Sequence, residues 1–161
     1  MRKAIVAISR GIDRICRSAA VGFLSLMLLL VLFQVLARYL FQTVPVWTEE
    51  AARYCMIWGG LFGATAAFYG ETDPRLIQPP RRGSKAWIAA AGWLRAAATI
   101  VFLGPVLYHS DRFLVRSWHR ASEGMEIPMA LITVAVPLTV MIIFIHMTAR
   151  LIDGSGKPPE Q

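Results

Sequence analysis

Four stretches of this chain, about residues 19–40, 49–69, 86–108 and 128–151, are apolar and long enough to cross a membrane. A helix rises 1.5 Å per residue, so about 20 apolar residues cover the roughly 30 Å of hydrocarbon in a bilayer. Hydrocarbon offers no hydrogen-bond partner to a bare peptide group, which leaves the helix as the structure for such runs. Composition agrees: 56% of the 161 residues are hydrophobic, 17% are charged, and mean hydropathy is +0.51. The expected fold class is an all-α integral membrane protein of four transmembrane helices, forming a single membrane domain over residues 1–161.

The net charge of +7 does not point to nucleic acid. Its basic residues flank apolar segments and do not gather into one patch among aromatics. Cys16 lies in a basic segment and Cys55 inside an apolar span, so no disulfide is expected between them. Two cysteines with no C-x-x-C pair are too few for a structural zinc site.

Residues 1–17 carry Arg2, Lys3, Arg10, Arg14 and Arg17 against Asp13. Ile5, Ile8, Ile12 and Ile15 recur at three- and four-residue spacing, which predicts a short amphipathic helix on the membrane surface. The apolar run that follows exceeds the roughly 7–15 residues of a signal-peptide core and has no small-x-small cleavage site. It reads as a retained first span.

That span ends with Gln34 and Arg38-Tyr39. About ten residues later, across a turn containing Pro45, comes Trp47-Thr48-Glu49-Glu50-Ala51-Ala52-Arg53. A loop this short makes the two spans antiparallel neighbours and brings Arg38 level with the carboxylates. A charge at membrane depth needs a partner or a route to water, so the expectation is an Arg38–Glu49 or Arg38–Glu50 pair. Thr48 is a suitable N-cap, the two glutamates suit the helix dipole, and Glu49 with Arg53 is spaced i, i+4. A capping role alone would also account for these residues. Farther along, Gly59, Gly63 and Ala67 form a small-xxx-small ladder for close helix packing.

Residues 71–85 read as a polar loop, since Pro79-Pro80 forbids a continuous helix. Arg95, some nine residues into the third span, either snorkels to the nearer face or binds a neighbouring subunit. Residues 109–127 are amphipathic and mixed in charge. Pro137 is expected to kink the fourth span, and the tail from Asp153 is polar and disordered in expectation.

Lys and Arg number eleven on the side of the termini and three on the other, so both termini are expected to be cytoplasmic. His109 and His119 fall near one face and His146 near the other, so no pair faces across the bundle to ligate haem. No acidic residue lies deep in a span, no catalytic set or phosphate loop is present, and no broken helices suggest a midplane transport site. The chain reads as neither enzyme nor transporter by itself.

Taken together, Arg38-Tyr39, Trp47-Thr-Glu49-Glu50-Ala-Ala-Arg53-Tyr, Trp58, Gly63-Ala64, Ile127-Pro128 and Ala135-Val-Pro137-Leu resemble one family. It is the small membrane subunit of tripartite ATP-independent periplasmic (TRAP) transporters, the DctQ-like proteins. The family commonly has a basic residue, Gly and His after the second span, whereas Phe68–Arg75 here has no His. The resemblance implies a multi-pass subunit of the bacterial inner membrane with no catalytic residue and no bound metal or cofactor. It would scaffold a large polytopic permease subunit that carries the substrate and sodium sites. A periplasmic binding protein would deliver an organic acid, and a sodium gradient would drive its uptake. Arg38, Trp47, Glu49, Glu50, Arg53 and Arg95 are the candidate structural or partner-contact residues, with membrane lipids as further partners. The alternative is a small membrane anchor of a redox enzyme complex; a third reading is a stand-alone small transporter.

Overall fold

The structure, a computed structural model, describes residues 2–70 and 85–153. Over these residues the chain forms six helices: α1 (Arg2–Leu40), α2 (Val46–Gly70), α3 (Lys85–Tyr108), α4 (Ser110–Trp118), α5 (Ala130–Thr133) and α6 (Ala135–Asp153). A lone bridge between Ala121 and Pro128 is the β pairing found there. The loop and tail expected over 71–84 and 154–161 lie outside the described residues.

Three helical runs, Ile5–Leu40, Ala90–Trp118 and Ala130–Leu151, are long and apolar enough to cross a membrane. Helix α2 is not among them. At 25 residues it has the length, about 37 Å by helical rise. Its body is diluted by Gly59, Gly60, Gly63, Trp58 and Tyr54, whose side chains are small or amphipathic.

Helices α1 and α2 form an antiparallel hairpin. Its turn runs through Gln42, in the left-handed region at φ 55°, and Pro45, whose carbonyl accepts the Thr48 N–H at 3.1 Å. Down the pair, Gln34 meets Thr48, Leu24 meets Gly59, and Phe23 stacks near Trp58 and Phe62 with ring centroids 6.0 and 6.2 Å away. A side chain at Gly59 would place its Cβ 2.9 Å from the Leu24 side chain, so this step of the ladder is what lets the helices approach. Gly63 has open space around it and does not continue the contact.

Helix α6 is the inner element, with 44% of its most apolar window buried against 6% for those of α1 and α3. The many exposed leucines, valines and phenylalanines of α1 and α3 are what a lipid-facing surface requires.

Two expectations change. The amphipathic segment is not a separate surface helix, because α1 runs unbroken from Arg2 to Leu40. No proline interrupts it at the junction, and its small and polar residues Ser9, Asp13, Cys16 and Ala20 share one face buried in the bundle. Ile8 and Ile15 stay exposed on the outside. Nor is Thr48 an N-cap: it is the third residue of α2, fully buried, and its hydroxyl donates back to the Pro45 carbonyl at 2.7 Å. As for Pro137, it lacks the N–H that would bond Thr133, and a turn at Val134 divides α5 from α6.

Candidate functional site

Side-chain hydrogen bonds between distant segments collect, among the described residues, at the two ends of the bundle. At one end the segment between α4 and α5 folds back on itself. Ser122 N–H donates to the Ile127 carbonyl at 2.9 Å, and Met129 N–H to that of Arg120 at 2.8 Å. Glu126, at φ 54°, makes the reversal. This closed loop sits on the first turn of α2, where Glu50 takes hold of it.

The Glu50 carboxylate accepts hydrogen bonds from the Ser122 hydroxyl and from the Met125 N–H, the latter at 3.0 Å. Gly124 passes so close that a Cβ there would lie 3.1 Å from the carboxyl carbon and 3.2 Å from Val46 Cγ1. A Cβ there would require the Glu50 carboxylate or the loop to give by a few tenths of an ångström, and a bulky side chain would require more. On the other flank, the Gln34 side-chain amide donates to the Thr48 carbonyl at 3.0 Å and ties α1 to the same turn.

The sequence-predicted residues divide accordingly. Glu49 pairs with Arg53 at 2.9 Å, both well exposed, as their i, i+4 spacing allows. Arg38 joins neither carboxylate: it is exposed, and among the described residues it forms no ion pair. The expected Arg38–glutamate pair fails because each carboxylate already has a nearer partner, Glu49 one turn along its own helix and Glu50 in the loop. Trp47 is half exposed in the first turn of α2. Arg95 is at the opposite end, its guanidinium carbon 5.0 Å from the centre of the Phe68 ring.

That opposite end joins the start of α1, the end of α2, the start of α3 and the end of α6. Ser9 Oγ and His146 Nδ1 are 2.8 Å apart in a hydrogen bond between α1 and α6, both residues buried. The His146 ring lies 5.0 Å from that of Tyr69. Arg150 donates to the carbonyls of Phe68 and Tyr69 at 3.1 and 3.0 Å, closing the C-terminal end of α2 where carbonyls lack helical partners. Asp13 is buried beside this cluster and holds Arg17 at 3.3 Å.

No group of three or more metal-ligating side chains occurs among the described residues. His109 and His119 each turn Nδ1 to the carbonyl four residues back, Pro105 and Val115, at 3.0 Å, and His146 is at the far end.

Ser122, Gly124 and Met125 were not singled out by sequence reasoning. A Ser-Glu-Gly triplet between apolar segments is a turn signal, but it says nothing of which helix the turn rests on. His146, Arg150 and Ser9 are polar residues in or beside apolar runs, and that rarity was the available signal.

The family model for tripartite ATP-independent periplasmic transporters, DctQ component, matches residues 27–155. The chain belongs to the DctQ family. The match takes in α2 from its first turn, the closed loop and all of α5 and α6, so both ends of the bundle lie within the DctQ portion except the first part of α1. No curated protein and no solved structure gives a match. DctQ proteins are a membrane component of TRAP transporters and not an enzyme family.

Proposed function

We propose that this DctQ chain is the non-catalytic scaffold of a TRAP transporter in the bacterial inner membrane. It crosses the membrane four times, with both termini cytoplasmic, and holds a large polytopic permease subunit. That subunit carries out sodium-driven symport of an organic acid delivered by a periplasmic binding protein. The family match over residues 27–155 carries this reading. The distribution of Lys and Arg favours the Glu50 end as the periplasmic face and the His146 end as the cytoplasmic one.

The geometry is suited to a fixed element. A part that must stay still while another moves through the bilayer needs its loops tied down, and Glu50 ties the α4–α5 loop to the first turn of α2. Exposed Trp87, Trp93 and Trp118 add anchors of the kind that favour membrane interfaces. No residue of this chain is assigned to substrate or sodium, and none is expected to bind a cofactor.

The test is affinity purification of the tagged chain from its own membranes in mild detergent, with mass spectrometry of the proteins that accompany it. A much larger polytopic protein in stoichiometric amount is expected, with its recovery and substrate uptake reduced by Glu50→Ala. Recovery of the chain alone, or with a soluble redox subunit and a Soret band, would overturn the scaffold reading.

A further inference from the structure

Near the Glu50 end a cavity of about 420 Å³ opens between the end of α3, α4 and the start of α6. Its apolar lining comes from Val106, Phe113, Val136 and Pro137. Its polar lining is cationic or neutral, with Arg112, Arg116 and His109 and no carboxylate.

Helical spacing explains the charge. Positions 109, 112, 113 and 116 follow i, i+3, i+4, i+7, so one side of the α3–α4 junction presents both arginines, the histidine and Phe113 together. Asp111 falls outside that set and does not line the cavity. Both arginines are exposed, and neither forms a salt bridge among the described residues. His109 Nδ1 is occupied by the Pro105 carbonyl, which leaves Nε2 as its outward atom.

The position explains the apolar part. Val106 lies in the last turn of α3 and Val136-Pro137 in the first turn of α6, where apolar helix gives way to the charged stretch 111–126. Tyr108 and Trp118, strongly exposed on either side of α4, are the residue types that favour the headgroup level of a bilayer. A concave site at that depth, apolar on one wall and doubly cationic on the other, matches one occupant. An anionic phospholipid has a phosphate for the guanidiniums, which bind phosphate through paired N–H donors. Its acyl chain suits the apolar wall.

We propose that this cavity is a binding site for an anionic phospholipid, its phosphate held by Arg112 and Arg116 and the start of an acyl chain lying against Val106, Phe113 and Val136. The inference rests on the chain's being a membrane protein and is independent of whether it scaffolds a permease.

Native mass spectrometry of the full-length chain in detergent, titrated with phosphatidylglycerol or phosphatidylcholine, tests it. Phosphatidylglycerol should be retained preferentially, and each arginine removed should weaken it about fivefold, the attraction expected per basic residue near an anionic headgroup. Arg112→Gln/Arg116→Gln should therefore erase the preference, and Arg112→Lys/Arg116→Lys should keep most of it. Val136→Trp, which fills the apolar wall, should weaken binding of both lipids. Equal retention of the two lipids, or an unchanged preference in the double Gln variant, would overturn the proposal. So would loss of a co-purifying protein from that variant with no loss of lipid, which would make the cavity a protein-docking site.

Discussion

The two ends of the bundle are held by opposite means. At the Glu50 end one carboxylate, half exposed, gathers a loop from more than seventy residues away through the Ser122 hydroxyl and the Met125 N–H. At the His146 end the work is shared among groups on four helices: buried Ser9 and His146, half-buried Arg150 and two carbonyls of α2, half-buried Arg95 and the Phe68 ring. A joint with one anchor is released by one change, whereas a distributed joint loses a fraction with each. The first suits a surface whose loop must hold one shape for partners, and the second suits the fixed base of a bundle.

Crowding offers the strongest way to break the contrast. Gly124→Leu forces a side chain into the 3.1 Å gap over Glu50 and should cost about 1–3 kcal/mol, the usual range for overpacking. Thermal unfolding in detergent should show it, with hydrogen exchange accelerated first at residues 122–127. Exchange confined to the His146 end would mean that the loop is not held where Glu50 holds it.

At the other end, His146→Leu removes the bond to Ser9. Hydrogen bonds between helices in a membrane protein contribute about 0.6 kcal/mol on average and up to about 1.7, so a smaller loss is expected. The double variant with Arg150→Ala should lose less than the sum of the two single losses, because both side chains meet α2 at Tyr69. Strict additivity in that double variant would show the joint to be separate contacts and not a network.

The smallest effect belongs to the charges most visible in the sequence. Glu49→Gln breaks an exposed i, i+4 pair and should change stability by only about 0.2–0.5 kcal/mol, less at high salt. An effect as large as that of Gly124→Leu would give Glu49 a role beyond its own helix.

What was legible in the sequence follows from local rules. Helical spacing announced the Glu49–Arg53 pair. The Trp47–Arg53 block pointed to the DctQ family before any fold was in hand. Where the reading failed, the missing term was tertiary. Arg38 looked destined for a glutamate because only ten residues separate them, yet Glu50 is turned toward a loop that no local pattern connects to it. The Ile5–Ile15 stripe looked like a membrane-surface face. Instead Ser9, Asp13 and Cys16 are the buried side, since in an apolar solvent polar and small groups are the ones gained by burial.

The sequence by itself determined that the chain is helical, that its long apolar runs belong in a membrane and that it is a DctQ protein. These follow from hydropathy, peptide hydrogen bonding and a motif, all readable within a few turns of chain. Only the tertiary structure decided which carboxylate is the anchor, which glycine of the ladder is in contact, and that Ser9 meets His146 across 137 positions. Such choices depend on how α1, α2 and α6 are rotated about their axes. Rotation is set by packing between distant helices, a quantity that no single stretch of sequence contains.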